Sequence, residues 1–233
     1  MTLAITFIFV GLAEGQGLIV KGDFGLTIDS TLKVEGVMEI AGETVVEVRS
    51  GAILSAERII VREDSTLRCC GTLAVDDEVT NSGLILADCG SAEEWILMGN
   101  LLNTGLVRIS QQTSFLISGL ITNSGILDAI TAGNLPGEVR NLSDGRVYDS
   151  DNPGRLEVLS VTQSAMELSM ESLPAHVYTL QVSETDDLQN WVSTGEVKEG
   201  SGEALVFQIL SEDREDETGA YRPEMFFRVM VTD

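Results

Sequence analysis

The sequence predicts an all-β protein: a right-handed parallel β-helix with about 20 residues per coil, followed by a small antiparallel β-sandwich. Three observations predict this fold. An Asn-x-Gly pattern recurs at a near-constant step, short β-branched segments lie between turn-forming residues, and period-two alternation begins after residue 155. No segment has a convincing helical period, and the right hand follows from the usual crossover between parallel strands.

The N-terminal residues 3–12 form an uninterrupted apolar run, too short for a bilayer span of about 20 residues. Gly11 and Ala13 stand at the −3 and −1 positions of a signal-peptidase site, which is typical of an export signal. No Lys or Arg precedes Lys21, however, so the basic region of such a signal is missing. Residues 1–17 are therefore interpreted as a signal peptide or as a first core strand, and the mature chain is expected to lack a membrane span.

The central residues 18–148 carry the repeat, and a weaker copy lies at 139–147. Its fixed positions are Asn81, Asn103 and Asn123, with Gly83, Gly105 and Gly125. Strands this short cannot each bury a face alone, so stacking into a solenoid is expected. We expect Asn and Gly to adopt left-handed backbone angles at the corners, and the Asn side chains to hydrogen-bond along a ladder. Hairpin turns in an antiparallel sandwich are the alternative, and they leave the constant step unexplained.

The three cysteines are Cys69, Cys70 and Cys89. With one coil of about 20 residues, Cys70 and Cys89 stack on adjacent rungs about 4.8 Å apart, within reach of a disulfide. Two unbridged thiols in an apolar ladder are the equal alternative, because buried thiols behave as small hydrophobic groups.

This repeat style resembles that of exported bacterial β-helix proteins, which include polysaccharide-active enzymes, adhesin passengers and surface-structure proteins. Polysaccharide-active members use an Asp-bound Ca²⁺ with an Arg or Lys base, or clustered Asp pairs on one sheet. Here Asp88, Ser110 and Ile130 stand at near-equivalent positions, so no carboxylate recurs from rung to rung. We therefore expect a protein without enzymatic activity.

Residues 149–155 contain turn formers and a Pro, and they predict a linker before a second domain at 156–233. Segments 178–192 and 226–231 resemble the small β-sandwich module that ends many exported, repeat-rich bacterial proteins. The resemblance implies an accessory or surface-display role and brings no catalytic residues. Trp191 is a candidate platform for stacking a carbohydrate, although core packing is the usual fate of such a residue.

The charge balance, 37 Asp+Glu against 14 Lys+Arg, argues against binding to nucleic acid or to an anionic membrane. Asp144, Asp149 and Asp151 place oxygen ligands in one turn-rich stretch and suggest a weak Ca²⁺ site; no other cofactor is expected. The lone His176 has no neighbouring Cys or second His, so we expect it at the surface or at a strand edge.

These observations favour an exported structural, adhesive or binding protein at the cell surface or outside the cell. Its partner would be an extracellular polysaccharide or another surface protein, and self-association is open. One alternative is a polysaccharide-acting β-helix enzyme. Another is a self-polymerising solenoid resembling the bactofilins, whose unpaired coil ends would associate end to end.

Overall fold

The computed structural model describes residues 17–89, 94–110, 114–133, 135, 138–162, 164–183, 188, 190–210 and 225–233. Every regular element among these residues is a β-strand. The chain divides into two compact units, the first ending at Asp149 and the second beginning at Ser150. This division falls at the start of the predicted linker.

The first unit is a parallel β-solenoid of about six turns with about 20 residues per coil. Each of the first five coils contributes one strand to each of three faces, and the last two coils contribute strands to faces 1 and 2. Face 1 consists of β1 (Leu18–Lys21), β4 (Val37–Ala41), β7 (Arg58–Val61), the second half of β9 (Thr72–Asn81), the second half of β11 (Glu94–Asn103), β14 (Ile121–Asn123) and β16 (Val139–Asn141). Face 2 consists of β2 (Gly25–Ile28), β5 (Val45–Val48), β8 (Thr66–Cys69), β10 (Leu84–Ala87), β12 (Leu106–Ile109), β15 (Ile126–Asp128) and β17 (Arg146–Tyr148). Face 3 consists of β3 (Thr31–Lys33), β6 (Ile53–Ala56), the first halves of β9 and β11, and β13 (Ser114–Ile117).

The solenoid core forms because alternate residues of each short strand point inward. Leu67, Leu73 and Ile85, one from each of three successive strands, are all fully buried. Parallel pairing repeats the same register from coil to coil, so that Leu18 lies opposite Met38 and Ile59 opposite Val79. Each coil thus covers the apolar edge of the coil before it, which is how a strand of three or four residues becomes stable.

The second unit consists of two three-stranded antiparallel sheets. The first sheet has the order β18 (Glu157–Val161), β19 (Ala165–Glu171), β22 (Ala204–Leu210), and the second has the order β21 (Val192–Glu199), β20 (Val177–Ser183), β23 (Phe226–Thr232). Their inner faces share one core, in which Leu168 and Phe207 of the first sheet meet Tyr178 and Leu180 of the second. This arrangement is sandwich-like and follows the period-two alternation of the sequence.

The predicted fold class is confirmed in its all-β content, its parallel coils of about 20 residues and its C-terminal antiparallel sheets. The hairpin alternative is excluded, because the strands that flank each Asn-x-Gly corner pair with neighbouring coils and not with each other. The predicted signal peptide or first strand at residues 1–17 lies outside the described residues except for Gly17, and the first described strand begins at Leu18.

Candidate functional site

One inward-facing column of side chains follows the end of face 1, and we call it the corner column. Strand register places seven residues in it: Val20, Ile40, Val61, Asn81, Asn103, Asn123 and Asn141. The first three are apolar and the last four are asparagines. Asn81, Asn103 and Asn123 are fully buried, whereas Asn141 on the last coil is exposed. A polar column therefore continues an apolar one inside the same core.

The four asparagines form a hydrogen-bonded ladder. The side-chain Nδ2 of Asn81, Asn103 and Asn123 each donates to the Oδ1 of the next asparagine at 2.8 Å. Each of these Nδ2 groups also donates at 3.1 Å to a main-chain carbonyl; the acceptors are Leu106, Ile126 and Arg146. An unpaired buried amide costs about 1–3 kcal/mol. The two hydrogen bonds donated by each Nδ2 avoid this cost, so the asparagines can be buried. Only the first rung is incomplete, because Asn81 Oδ1 faces the coil of Val61 and has no hydrogen-bond partner.

The three corner glycines, Gly83, Gly105 and Gly125, are needed for a different reason from the one the sequence suggested. None of them has a positive φ, and neither do the ladder asparagines, so the expectation of left-handed angles at these corners is wrong. Instead, a Cβ on Gly105 would lie within 3.0 Å of the Gly83 carbonyl oxygen, and a Cβ on Gly125 equally close to that of Gly105. Adjacent coils approach so closely here that only a residue without a side chain fits.

A disulfide joins Cys70 and Cys89 on neighbouring coils, with a Cα–Cα distance of 5.3 Å. Each cysteine stands just beyond a face-2 strand, β8 for Cys70 and β10 for Cys89. The adjacent Cys69 points into the core and is not bridged. Burial raises the pKa of the Cys69 thiol to about 12, so this side chain is a poor nucleophile at neutral pH.

Ion pairs with carboxylates of a neighbouring coil are described for five arginines of the solenoid. The pairs are Arg49–Asp29, Arg58–Asp77, Arg62–Glu39, Arg68–Asp88 and Arg108–Asp128. The hydrogen bond from Arg62 to Glu39 and their attraction raise the pKa of this guanidinium, and Asp77 acts likewise on Arg58. The Arg108–Asp128 pair is the most buried of the five, at 2.7 Å, with the Asp128 side chain fully enclosed. These carboxylates thus hold coils together.

The suggested Ca²⁺ ligands are not gathered into a site. Asp144, Asp149 and Asp151 all belong to the described residues, and within these no group of three His, Cys, Asp or Glu side chains is placed to hold a metal ion. Asp144 is exposed in the turn between β16 and β17. Strand β17 (Arg146–Tyr148) lies between Asp144 and the other two aspartates, so nearness in sequence does not make the three carboxylates a metal site.

Trp191 lies at one end of the outward side of the second sheet of the sandwich. Its Nε1 donates to the Leu188 carbonyl at 2.7 Å, and the Arg228 guanidinium stacks on its ring, with Cζ 4.4 Å from the ring centre. Arg228 Nε donates in turn to Gln181 Oε1 at 2.8 Å. Sequence reasoning selected Trp191 and missed both partners, because Arg228 and Gln181 face each other only through strand register.

The position of His176 differs from the expectation of a surface or edge site. Its side chain is buried, 2 % exposed as a residue, with Nδ1 3.2 Å from the Asp233 Oδ1 and the ring edge-on to Tyr178. Ala175, the residue before it, adopts a positive φ in the turn that leads into β20.

The described part of the chain contains no helix long and apolar enough to cross a membrane. The fold places the chain in the class of parallel β-solenoid proteins with an appended antiparallel β-sheet unit. Comparison with family models, with curated proteins and with solved structures gives no match.

Proposed function

We propose that the chain is an exported, non-enzymatic protein that acts at the cell surface or outside the cell as a structural and adhesive module. The observation that carries this proposal is the Cys70–Cys89 disulfide between adjacent coils. Disulfides persist in oxidising compartments and are rare in the reducing cytoplasm. The disulfide therefore supports a location in an oxidising compartment outside the cytoplasm, and it also joins two neighbouring coils covalently.

The architecture supports a mechanical role. The asparagine ladder and the five arginine pairs all connect one coil to the next. In a solenoid each coil contacts only its neighbours, so stability depends on such connections. A body stabilised in this way suits a rigid spacer that presents an attached binding unit.

Two alternatives compete with this proposal. A polysaccharide-acting enzyme needs several carboxylates free to act on one face, and the five carboxylates paired with arginines offer little support for it. A bactofilin-like filament would assemble in the cytoplasm with its thiols reduced. The redox state of the cysteines and the location of the native protein therefore distinguish the exported module from the cytoplasmic filament.

The test is mass spectrometry of the protein isolated from fractionated native cells, denatured and alkylated before and after reduction. We expect the exported fraction to contain a chain that takes one alkyl group, on Cys69, before reduction and three afterwards. A Cys69→Ser variant is the matched control and should take none before reduction and two afterwards. Recovery from the cytoplasm with three reactive thiols would overturn the proposal and favour the filament.

A further inference from the structure

Arg228 differs from the other described cations of the second unit. Arg155 pairs with Glu157 at 3.6 Å and Lys198 with Glu196 at 3.4 Å, whereas Arg228 has no carboxylate partner among the described residues. The chain contains 37 Asp+Glu and only 14 Lys+Arg, and six of the nine described arginines form an ion pair. An unpaired guanidinium in such a chain is available to an anion from outside.

The guanidinium is also held in a fixed orientation. Its Nε donates to Gln181 and its Cζ lies 4.4 Å from the centre of the Trp191 ring, whose Nε1 is itself hydrogen-bonded to the Leu188 carbonyl. The two terminal Nη groups of Arg228 have no acceptor among the described residues. Because two parallel N–H groups match the two oxygens of a carboxylate, a guanidinium fixed in this way suits bidentate binding.

The neighbouring outward surface offers apolar contact and a hydroxyl group. One row along the sheet, Thr179 lies opposite Met230, on the same side as Gln181 and Arg228. Met230 is 42 % exposed, and Val197 on the other neighbouring strand is 56 % exposed. Sugar rings present C–H groups on their faces and hydroxyls at their edges, so they fit an indole ring beside such a row.

We propose that Trp191, Arg228 and Gln181 form a binding site for a uronate-containing polysaccharide. The sugar carboxylate binds the free Nη groups of Arg228, and the sugar ring packs against Trp191 and the Thr179–Met230 row. This inference rests on the proposed extracellular role, since it supplies the ligand class for the adhesive unit.

The net charge of −23 opposes any polyanion at long range. At physiological ionic strength the Debye length is about 8 Å, so distant carboxylates are largely screened. On the same outward side, Glu199 lies opposite Val177, about 13 Å along the strand from Gln181. Binding is therefore expected at physiological salt and not at very low salt, where the charge of the whole chain dominates.

The experiment is affinity electrophoresis and calorimetry of the full, disulfide-bonded chain at about 0.15 M salt with EDTA. The probes are polygalacturonate, alginate and fully methyl-esterified polygalacturonate, which keeps the sugar backbone and removes the charge. We expect binding to at least one free uronate polymer and binding at least about tenfold weaker to the ester, the factor for losing one charge-assisted pair. Arg228→Gln should lower uronate binding to the level of the ester.

Three further variants complete the test. Trp191→Ala should abolish binding, Trp191→Phe should retain part of it, and Arg155→Gln is the matched charge control and should bind like the original chain. Circular dichroism melts establish that each variant is folded. The inference fails if neither free uronate polymer binds, if Trp191→Ala binds normally, or if Arg155→Gln loses as much as Arg228→Gln. These outcomes are distinct from failure of the proposed function, which depends on the thiol and fractionation assay.

Discussion

The first three coils and the last four coils differ in how the chain turns from face 1 to face 2. In the early coils the corner column is apolar, and the chain turns from face 1 to face 2 through longer connections such as 42–44. Gly42, Glu43 and Asp64 have positive φ there, and the Thr44 hydroxyl donates at 2.7 Å to the Gly22 carbonyl. In the later coils the column is asparagine, and three of the corners contain only two residues between strands.

The comparison shows what a short corner requires. A two-residue turn leaves main-chain carbonyls pointing inward and brings successive coils very close together. The asparagine amide binds those carbonyls, and the glycine provides the space. The longer corners of the early coils stand beside Val or Ile, whereas the four-residue corner 142–145 of the last coil keeps Asn141, whose Nδ2 donates to the Gly145 carbonyl. The Cys70–Cys89 disulfide connects the coil of Val61, the last with an apolar column residue, to the coil of Asn81, the first with an asparagine.

The largest effect is expected from Gly105→Ala, which puts a Cβ against the Gly83 carbonyl. We expect the free energy of unfolding to fall by more than about 3 kcal/mol, the upper end for overpacking. Gly25→Ala is the control for a glycine without close approach; Gly25 shares its register position with Leu106, and its Cβ would lie 3.7 Å from the Val45 oxygen, an ordinary contact. Urea denaturation measures both. Equal effects would mean that close approach does not distinguish the two regions.

Reduction of the Cys70–Cys89 disulfide should cost about 3 kcal/mol, since it closes a loop across 19 residues. We also expect the two regions to exchange amide hydrogens as separate units once the bond is reduced. Hydrogen exchange before and after reduction measures this uncoupling. A Cys69→Ala chain keeps the disulfide and serves as the control. An unchanged exchange pattern would show that packing alone couples the regions.

Breaking the ladder at its centre with Asn103→Val should cost about 2 kcal/mol, because buried amide groups on both neighbouring rungs lose a partner. The same change at Asn141, which is exposed, should cost less than about 1 kcal/mol, since water replaces the lost bond. Thermal and urea unfolding compare the two variants. The ladder would have no special role if Asn103→Val were as mild as Asn141→Val.

The smallest effect concerns pH and the buried Cys69. Burial raises its pKa from the ordinary 9.0 to about 12, so above pH 9 the unfolded chain loses this proton and the folded chain keeps it. Stability should therefore fall as pH rises from about 9 towards 12, by about 1 kcal/mol at pH 10. Cys69→Ala should remove this part of the alkaline loss. Parallel slopes for the two chains between pH 8 and 10 would contradict the prediction.

Much of the solenoid could be predicted from the sequence because the pattern that specifies its coils is local and repeated. Asn81, Asn103 and Asn123 with their glycines predicted the coil length, and the strands between them predicted the parallel faces. The reason for the glycines was wrong, since positive φ and close approach select the same residue and only coordinates distinguish them. Asn141 stood in a weak copy of the repeat and was not assigned to the ladder.

Only part of the candidate site in the sandwich could be predicted from the sequence. Trp191 is conspicuous in the sequence, but Arg228 lies 37 positions away and belongs to the last strand. The acidic stretch with Asp144, Asp149 and Asp151 gave the opposite error, because nearness in sequence suggested a cluster that the fold does not assemble. The buried position of His176 depends on a turn that composition does not reveal.

The sequence by itself determined the all-β class, the coil of about 20 residues and the change of architecture near residue 150. These follow from the period of side-chain alternation and from turn residues, which act over a few neighbouring positions. The tertiary structure alone decided which thiols are bridged, which carboxylates pair with arginines, and which guanidinium lies over the Trp191 ring. Those outcomes depend on register between strands distant in the chain, where a shift of one residue turns every side chain to the other face.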